Sequence, residues 1–257
     1  MQNINVLFFL TPIIVITVSS ALMIYWYRKR HFRWTVTIFS LAAYAGAIAL
    51  KDAVQIPTID AVRSAGPVVL GAYYGVQTMV FEVGLAFLVA LIALRYRELS
   101  GKDSEGYASG LAFWENAGLL GILLLINYIT YYSVLSSDTP FAQQLYDQLM
   151  TNAPALFVSN QEALGLVAIA VFERVSSIII HFAWGYLCFM AAYHHKIMLF
   201  LIALPMGLID FLVPFAGDSP ILFEVLFFAL ALASLTVAWY LTRDLRKTKE
   251  TNVEKQI

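Results

Sequence analysis

The chain has 257 residues, of which 60% are hydrophobic and 13% are charged, and its mean hydropathy is +0.74. A soluble domain is nearer to about 45–50% apolar and about 25% charged, so this composition indicates a polytopic membrane protein. The net charge of −1 does not indicate nucleic-acid binding, and the single cysteine, Cys188, excludes a disulfide framework. The sequence contains no CxxC and no HExxH motif, so we expect neither a metal nor a cofactor.

Seven apolar stretches approach or exceed the roughly 20 residues that a helix needs to cross a bilayer. They lie at about 5–27, 34–56, 67–94, 107–132, 163–192, 197–216 and 220–242. Helices are predicted because lipid offers the backbone no hydrogen-bond partner outside its own segment. The predicted fold is therefore all-α, a polytopic transmembrane bundle of about seven helices, which forms a single integral membrane domain over residues 1–257.

The basic residues predict the orientation of this bundle. Of the 16 lysines and arginines, 13 follow the first, third, fifth or seventh stretch: Arg28, Lys29, Arg30, Arg33, Arg95, Arg97, Lys102, Lys196, Arg243, Arg246, Lys247, Lys249 and Lys255. Positive charges follow the first apolar stretch and do not precede it, so this stretch is not a cleavable signal. The positive-inside rule then predicts a multi-pass protein of the cell membrane, with its N-terminus outside and a cytoplasmic tail over 243–257.

One long loop, about 133–161, lies on the predicted outer side. Thr139 followed by Pro140 is typical of a helix N-cap with proline at the first helical position. Apolar residues recur there every four positions, at Phe141, Leu145 and Leu149. We expect a short amphipathic helix in the outer interface, which either links two spans or covers the mouth of a cavity.

The fifth stretch carries ionisable and hydroxyl side chains in the run from Phe172 to His181. Arg174 and His181 are seven positions apart and nearly eclipse each other on a helix, with Ser177 close to the same face and Glu173 to one side. Each ionisable group at membrane depth costs at least about 2.5–3.5 kcal/mol, so such groups persist where they face protein or water. This run is a candidate functional site; the alternative is an Arg–Glu pair that only locks helices together.

Other spans also carry acids at membrane depth, two near the midplane like Glu173 (Glu82 and Asp210) and one in the cytoplasmic half like His181 (Glu115). Glu82 lies in the third stretch, Glu115 in the fourth and Asp210 in the sixth. We therefore expect one internal chamber formed by Glu82, Glu115, Glu173, Arg174, His181 and Asp210. Arg174 is the one fixed cation among these six, so at least one acid should be protonated or hydrated.

Two further groups are interpreted as interfacial. Lys51 and Asp52 lie toward the outer end of the second stretch and Glu224 near the outer end of the seventh. Long charged side chains at helix ends reach the interface, so we expect these residues to snorkel or to pair with each other.

The order of these polar groups resembles the YhfC-type family of glutamic intramembrane proteases, distant relatives of the CAAX-prenyl endopeptidases. The resemblance covers about 70–215. It is carried by Glu82-Val83-Gly84, by Glu115, by Glu173-Arg174 followed by His181, and by Asp210. It implies that a glutamate activates water while histidines and an Asn or Asp position it and stabilise the oxyanion.

The sequence also departs from the pattern of that family. Phe81 stands in place of a glutamate, Leu85 of an arginine, and Leu111 and Met206 of histidines. The resemblance therefore implies a divergent, glutamic-type intramembrane peptidase. In this hydrolase Glu82 would be the base that activates water, and His181 the hydrogen-bond donor to the oxyanion. Its substrate would be a transmembrane or lipidated peptide in the bilayer. The alternatives are an inactive relative that binds a membrane peptide or lipid-linked partner, or a proton-coupled transporter.

Overall fold

The computed structural model describes residues 3–217 and 219–254, and this part of the chain contains helices and no strand. The helices are α1 (Val6–Arg30), α2 (Thr35–Ser64), α3 (Pro67–Tyr96), α4 (Gly101–Leu135), α5 (Pro140–Asn152), α6 (Asn160–Tyr193), α7 (Ile197–Phe215) and α8 (Pro220–Glu254). All except α5 are long and apolar enough to cross a membrane, α8 through its part Pro220–Leu245. The predicted all-α, seven-span bundle is confirmed. The basic residue Lys255 of the predicted tail lies outside the described residues.

Helix α6 is the central helix of the bundle. It begins with a capping box, in which Ser159 and Glu162 satisfy each other's backbone N–H groups. From Ser176 to Ala192 nearly every side chain is buried, and α6 packs against α1, α3, α4, α7 and α8. A helix that is apolar on all sides is one that neighbours surround, and polar groups on α6 therefore face protein.

Glycines bring α3 and α7 into close contact. A methyl group at Gly207 would lie 2.7 Å from the backbone of Met79, and one at Gly71 would lie 2.4 Å from the carbonyl oxygen of Phe211. With no side chains between them, the two backbones approach closely enough for Thr78 to donate a hydrogen bond to Asp210. The packing of α3 on α7 thus sets the position of Asp210.

Three of the spans contain stretches that are not regular α-helix. Thr78–Val83 in α3 and Trp114–Gly121 in α4 are π-helical, while Leu204–Phe215 in α7 is a 3₁₀ helix. In α7 the two prolines of this stretch lack the N–H that a regular helix needs. Each irregular stretch carries one of the predicted acids: Glu82, Glu115 and Asp210. Single π-helical turns inside α-helices are frequent at functional sites.

The helix predicted in the outer loop is present as α5. Thr139 Oγ1 accepts a hydrogen bond from the N–H of Ala142 at 3.2 Å, and Pro140 is the first helical residue. Leu149 is buried on one face, whereas Phe141 is exposed. The location of α5 at the membrane interface stays a prediction.

The contact of α3 with α7 gives a testable consequence. Gly207→Ala places a methyl group against the Met79 backbone, which cannot move away as a flexible side chain would. We expect a loss of stability of about 1–3 kcal/mol, the usual cost of overpacking. Thermal unfolding in detergent measures it. The matched control is Gly165→Ala in α6, where a methyl group meets nothing within 4 Å; equal melting temperatures for the two variants would contradict this account.

Candidate active site

Seven ionisable side chains from five helices form one connected network inside the bundle. Its members, in spatial order, are Asp210, Lys51, Glu82, His181, Glu115, Arg174 and Glu173. Acids alternate with basic groups along this series, so every acid has a basic neighbour. The structure therefore brings all six predicted residues together in one cluster, with Lys51 as a seventh.

Glu82 is held between Lys51 and His181. Its Oε1 accepts a hydrogen bond from Lys51 Nζ, and its Oε2 lies 3.0 Å from His181 Nε2. Lys51 Nζ also donates to Thr78 Oγ1 at 2.6 Å and lies 3.6 Å from Asp210 Oδ2. Lys51 therefore holds Oε1, the outer oxygen of Glu82, so that Oε2, the inner oxygen, faces the histidine.

Glu115 is held in the same way from the other side. Its Oε1 lies 3.9 Å from Arg174 Nη1, and its Oε2 contacts His181 Nε2. Arg174 also forms an ion pair with Glu173, its neighbour on α6. Each of the two glutamates thus uses one oxygen on a fixed cation and presents the other oxygen to the same imidazole nitrogen.

His181 is oriented by its own helix. Its Nδ1 lies 2.9 Å from the carbonyl oxygen of Ser177, one turn earlier. A carbonyl oxygen only accepts, so Nδ1 carries a proton and donates it. The indole of Trp184 packs edge-on against the ring at a centroid distance of 4.1 Å. In the neutral imidazole, Nε2 then carries a lone pair that faces two carboxylate oxygens. Because these groups repel one another, the arrangement is stable only with a cation at Nε2, either a proton or a metal ion.

The sequence matches the family described as YhfC intramembrane metalloprotease over residues 12–222. The chain belongs to this family. The resemblance found in the sequence is confirmed, and the match extends beyond the 70–215 region on which it was based. No curated protein and no solved structure matches the chain.

The description of the YhfC family implies a metal, and the residues present fit one. Glu82, Glu115 and His181 each offer one ligand atom, and these three atoms lie within 4.8 Å of one another. Glu115 Oε2 is fully buried and faces His181 Nε2. Carboxylates and imidazole are ligands of divalent transition metals, and a backbone carbonyl on the far ring nitrogen is the usual support of a ligating histidine. The ligand atoms come from three helices, so no local motif records them.

Two of the residues that replace family positions, Leu111 and Met206, are packed as core. Leu111 lies close to Gly185, where a methyl group would approach its Cδ1 to 2.7 Å. Leu111 and Met206 are both buried in the main apolar cluster. His181 is therefore the one imidazole in the network, and no second histidine reaches it.

Sequence reasoning missed Lys51, which was interpreted as interfacial. It lies instead inside the bundle, on Glu82. A signal was present, because the buried residues Ser40, Tyr44 and Ala47 of α2 recur at helical spacing and Lys51 continues their face. Glu224 was also interpreted as interfacial; its side chain is only 6% exposed, and its depth in the membrane stays a prediction.

Arg174 should be required for the stability of the bundle. Arg174→Ala leaves Glu115, which is mostly buried, and the more exposed Glu173 without their cation, and breaking a buried pair costs about 3–5 kcal/mol. Thermal unfolding and size-exclusion chromatography in detergent measure the loss. Arg243→Ala is the control, because its pair with Asp244 is exposed and such pairs contribute about 0–1 kcal/mol. An Arg174→Ala protein as stable as the control would refute the prediction.

The ligand set gives a prediction about metal binding. The purified protein should bind a divalent ion, and Glu115→Gln should weaken that binding by more than about 10-fold, because an amide oxygen carries no charge. Metal analysis after dialysis against Zn²⁺, Mn²⁺ or Co²⁺ checks this, with the exposed Glu98→Gln as control. A wild-type protein that retains none of these ions would mean that the cation at Nε2 is a proton.

Proposed function

We infer that this chain is an intramembrane peptidase, with Glu82, Glu115 and His181 as its water-activating centre. The observation that carries this proposal is the convergence of two carboxylate oxygens and one imidazole nitrogen in the interior of the bundle. Membership of a family of intramembrane proteases supports the same chemistry. The proposed substrate is a transmembrane or lipidated peptide, since the centre lies among apolar helices that are long enough to cross a membrane.

The two terminal acids of the network are more exposed than the acid between them. Glu173 and Asp210 have side chains that are 37% and 29% exposed, whereas Glu82 between them is 9% exposed. Water or an extended peptide would therefore reach the centre past one of the terminal acids. Hydrolysis inside a membrane needs such a hydrated path, because lipid supplies no water.

In the proposed reaction the two fixed cations hold the carboxylates ready. Lys51 and Arg174 occupy the outer oxygens, so the inner oxygens of Glu82 and Glu115 accept the protons of a water molecule. As Glu82 takes a proton, the water oxygen forms a bond to the peptide carbonyl carbon, and the carbonyl electron pair moves onto its oxygen. When that pair returns, the C–N bond breaks and the nitrogen takes the proton that Glu82 received from the water molecule.

A divalent ion bound by Glu82, Glu115 and His181 would lower the pKa of a water ligand and polarise the peptide carbonyl. The hydrogen bond from His181 Nδ1 to the Ser177 carbonyl keeps Nε2 directed at the carboxylates both with and without a bound ion.

The basic residues at one end of the bundle support an orientation with the N-terminus outside and the C-terminus in the cytoplasm.

The second candidate is a non-catalytic relative that binds a membrane peptide. It is favoured by Leu111 and Met206, which occupy family histidine positions as core side chains. Binding without cleavage would need the same chamber but no activated water. The experiment below separates the two functions, because only a peptidase releases fragments.

The test uses liposomes that contain the full-length protein and a single-span peptide of about 20 apolar residues with a fluorophore at each end. We expect wild-type protein to release fragments with new termini, which mass spectrometry identifies. Glu82→Gln keeps the shape of the side chain but removes the base, so cleavage should fall by about 10²–10⁴-fold.

Glu98→Gln is the matched control, because Glu98 is exposed and lies outside the network. Cleavage by Glu82→Gln at the wild-type rate would refute the assignment of Glu82 as the base. A folded wild-type protein that binds the peptide but leaves it intact would favour the non-catalytic relative. A chelator arm adds the metal requirement: loss of cleavage with 1,10-phenanthroline, and its return with added metal, would identify the centre as metal-dependent.

A further inference from the structure

Helix α2 passes the centre and carries a second buried polar side chain besides Lys51, that of Tyr44. Tyr44 lies seven residues before Lys51 and therefore on the same face of α2. It is only 7% exposed. Neither the family pattern described above nor the network of ion pairs includes it, so its role has to be argued from its position.

The contacts of α2 with α4 set the level of Tyr44. A methyl group at Gly106 would meet the ring of Phe32, and one at Gly110 would meet Ser40 Oγ. Later residues of one segment thus contact later residues of the other, so the two segments run parallel. One turn beyond Ser40 is Tyr44, and one turn beyond Gly110 the π-helical stretch begins that carries Glu115.

The electrostatic environment agrees with this placement. Tyr44 lies within coulombic range of Glu115, Glu82, Arg174 and Asp210, four members of the network. Buried tyrosine hydroxyls usually have a hydrogen-bond partner, but the hydroxyl of Tyr44 forms none with the residues that the structure describes. Tyr107 shows the contrast, because its hydroxyl donates to the carbonyl oxygen of Ala86 at 2.7 Å. Tyr44 therefore brings an unused O–H donor to a chamber whose other side chains are mostly acceptors.

We propose that the hydroxyl of Tyr44 is the donor that stabilises the oxyanion when a peptide carbonyl is attacked in this chamber, a role that rests on the proposed peptidase function. Lys51 and Arg174 are fixed cations but are bound to carboxylates, so neither is free to face the substrate. As water adds to the carbonyl carbon, negative charge collects on the carbonyl oxygen. Tyr44 donates a hydrogen bond to that oxygen and keeps its proton throughout, and the bond weakens again when the C–N bond breaks.

The experiment compares Tyr44→Phe with Tyr107→Phe in the liposome cleavage assay. Removal of one oxyanion donor lowers kcat by about 10²–10³-fold. We expect a loss of this size for Tyr44→Phe, with KM, metal content and melting temperature unchanged. Tyr107→Phe removes a hydroxyl that is bound to the backbone, so it should lower the melting temperature and leave kcat near the wild-type value.

A second measurement separates catalysis from structure. A phosphinic peptide, whose tetrahedral oxygens mimic the intermediate, should bind Tyr44→Phe more weakly by a factor similar to the loss in kcat. Equal kcat for Tyr44→Phe and wild type, or parallel losses of activity and thermal stability in both tyrosine variants, would overturn the role of Tyr44 alone. A wild-type protein that cleaves no peptide would instead remove the proposed function, and the role of Tyr44 with it.

Discussion

The contact of His181 Nε2 with the inner oxygens of Glu82 and Glu115 is the constraint on which the rest of the structure depends. Two unit charges about 4 Å apart interact by about 4 kcal/mol at an effective dielectric constant near 20, so two carboxylates at this separation repel strongly unless a cation lies between them. Four acids and two fixed cations leave the network two negative charges in excess when the imidazole is neutral. A single divalent ion balances that charge, whereas a proton on Nε2 balances only half of it.

The backbone supplies these acids from irregular stretches and the histidine from a regular helix. Glu82 and Glu115 lie on π-helical stretches and Asp210 on a 3₁₀ helix, so their directions differ from those of an ideal helix. His181 needs no such adjustment, because its own α-helix presents the Ser177 carbonyl one turn back. The central helix therefore keeps regular geometry, and the π-helical stretches of its neighbours direct the carboxylates of Glu82 and Glu115 at the imidazole.

This division explains which features could be predicted from the sequence. The spans follow from hydropathy, and Arg174 with His181 follows from a seven-residue spacing that holds because α6 is regular. Position along the spans placed Glu82 and Asp210 near the midplane and Glu115 in the cytoplasmic half, but the directions of their side chains depend on π and 3₁₀ geometry that no sequence periodicity shows. Lys51 was misjudged because a lysine near a helix end usually reaches the interface, whereas the acids of α3 and α7 hold this one inside the bundle.

The single imidazole has a chemical consequence for the centre. Catalytic zinc sites commonly use two or three histidines, whereas this set offers one imidazole and two carboxylates. Oxygen-rich sets of this kind suit harder ions such as Mn²⁺ better than histidine-rich sets do. The packing of Leu111 and Met206 as core side chains therefore removes nitrogen ligands without removing the charge that attracts a cation. Lys51 acts in the opposite direction, because its ammonium group already satisfies one oxygen of Glu82. In the proposed peptidase, the same balance between Lys51 and the two carboxylate oxygens that face His181 would set both the identity of a bound cation and the ability to activate water.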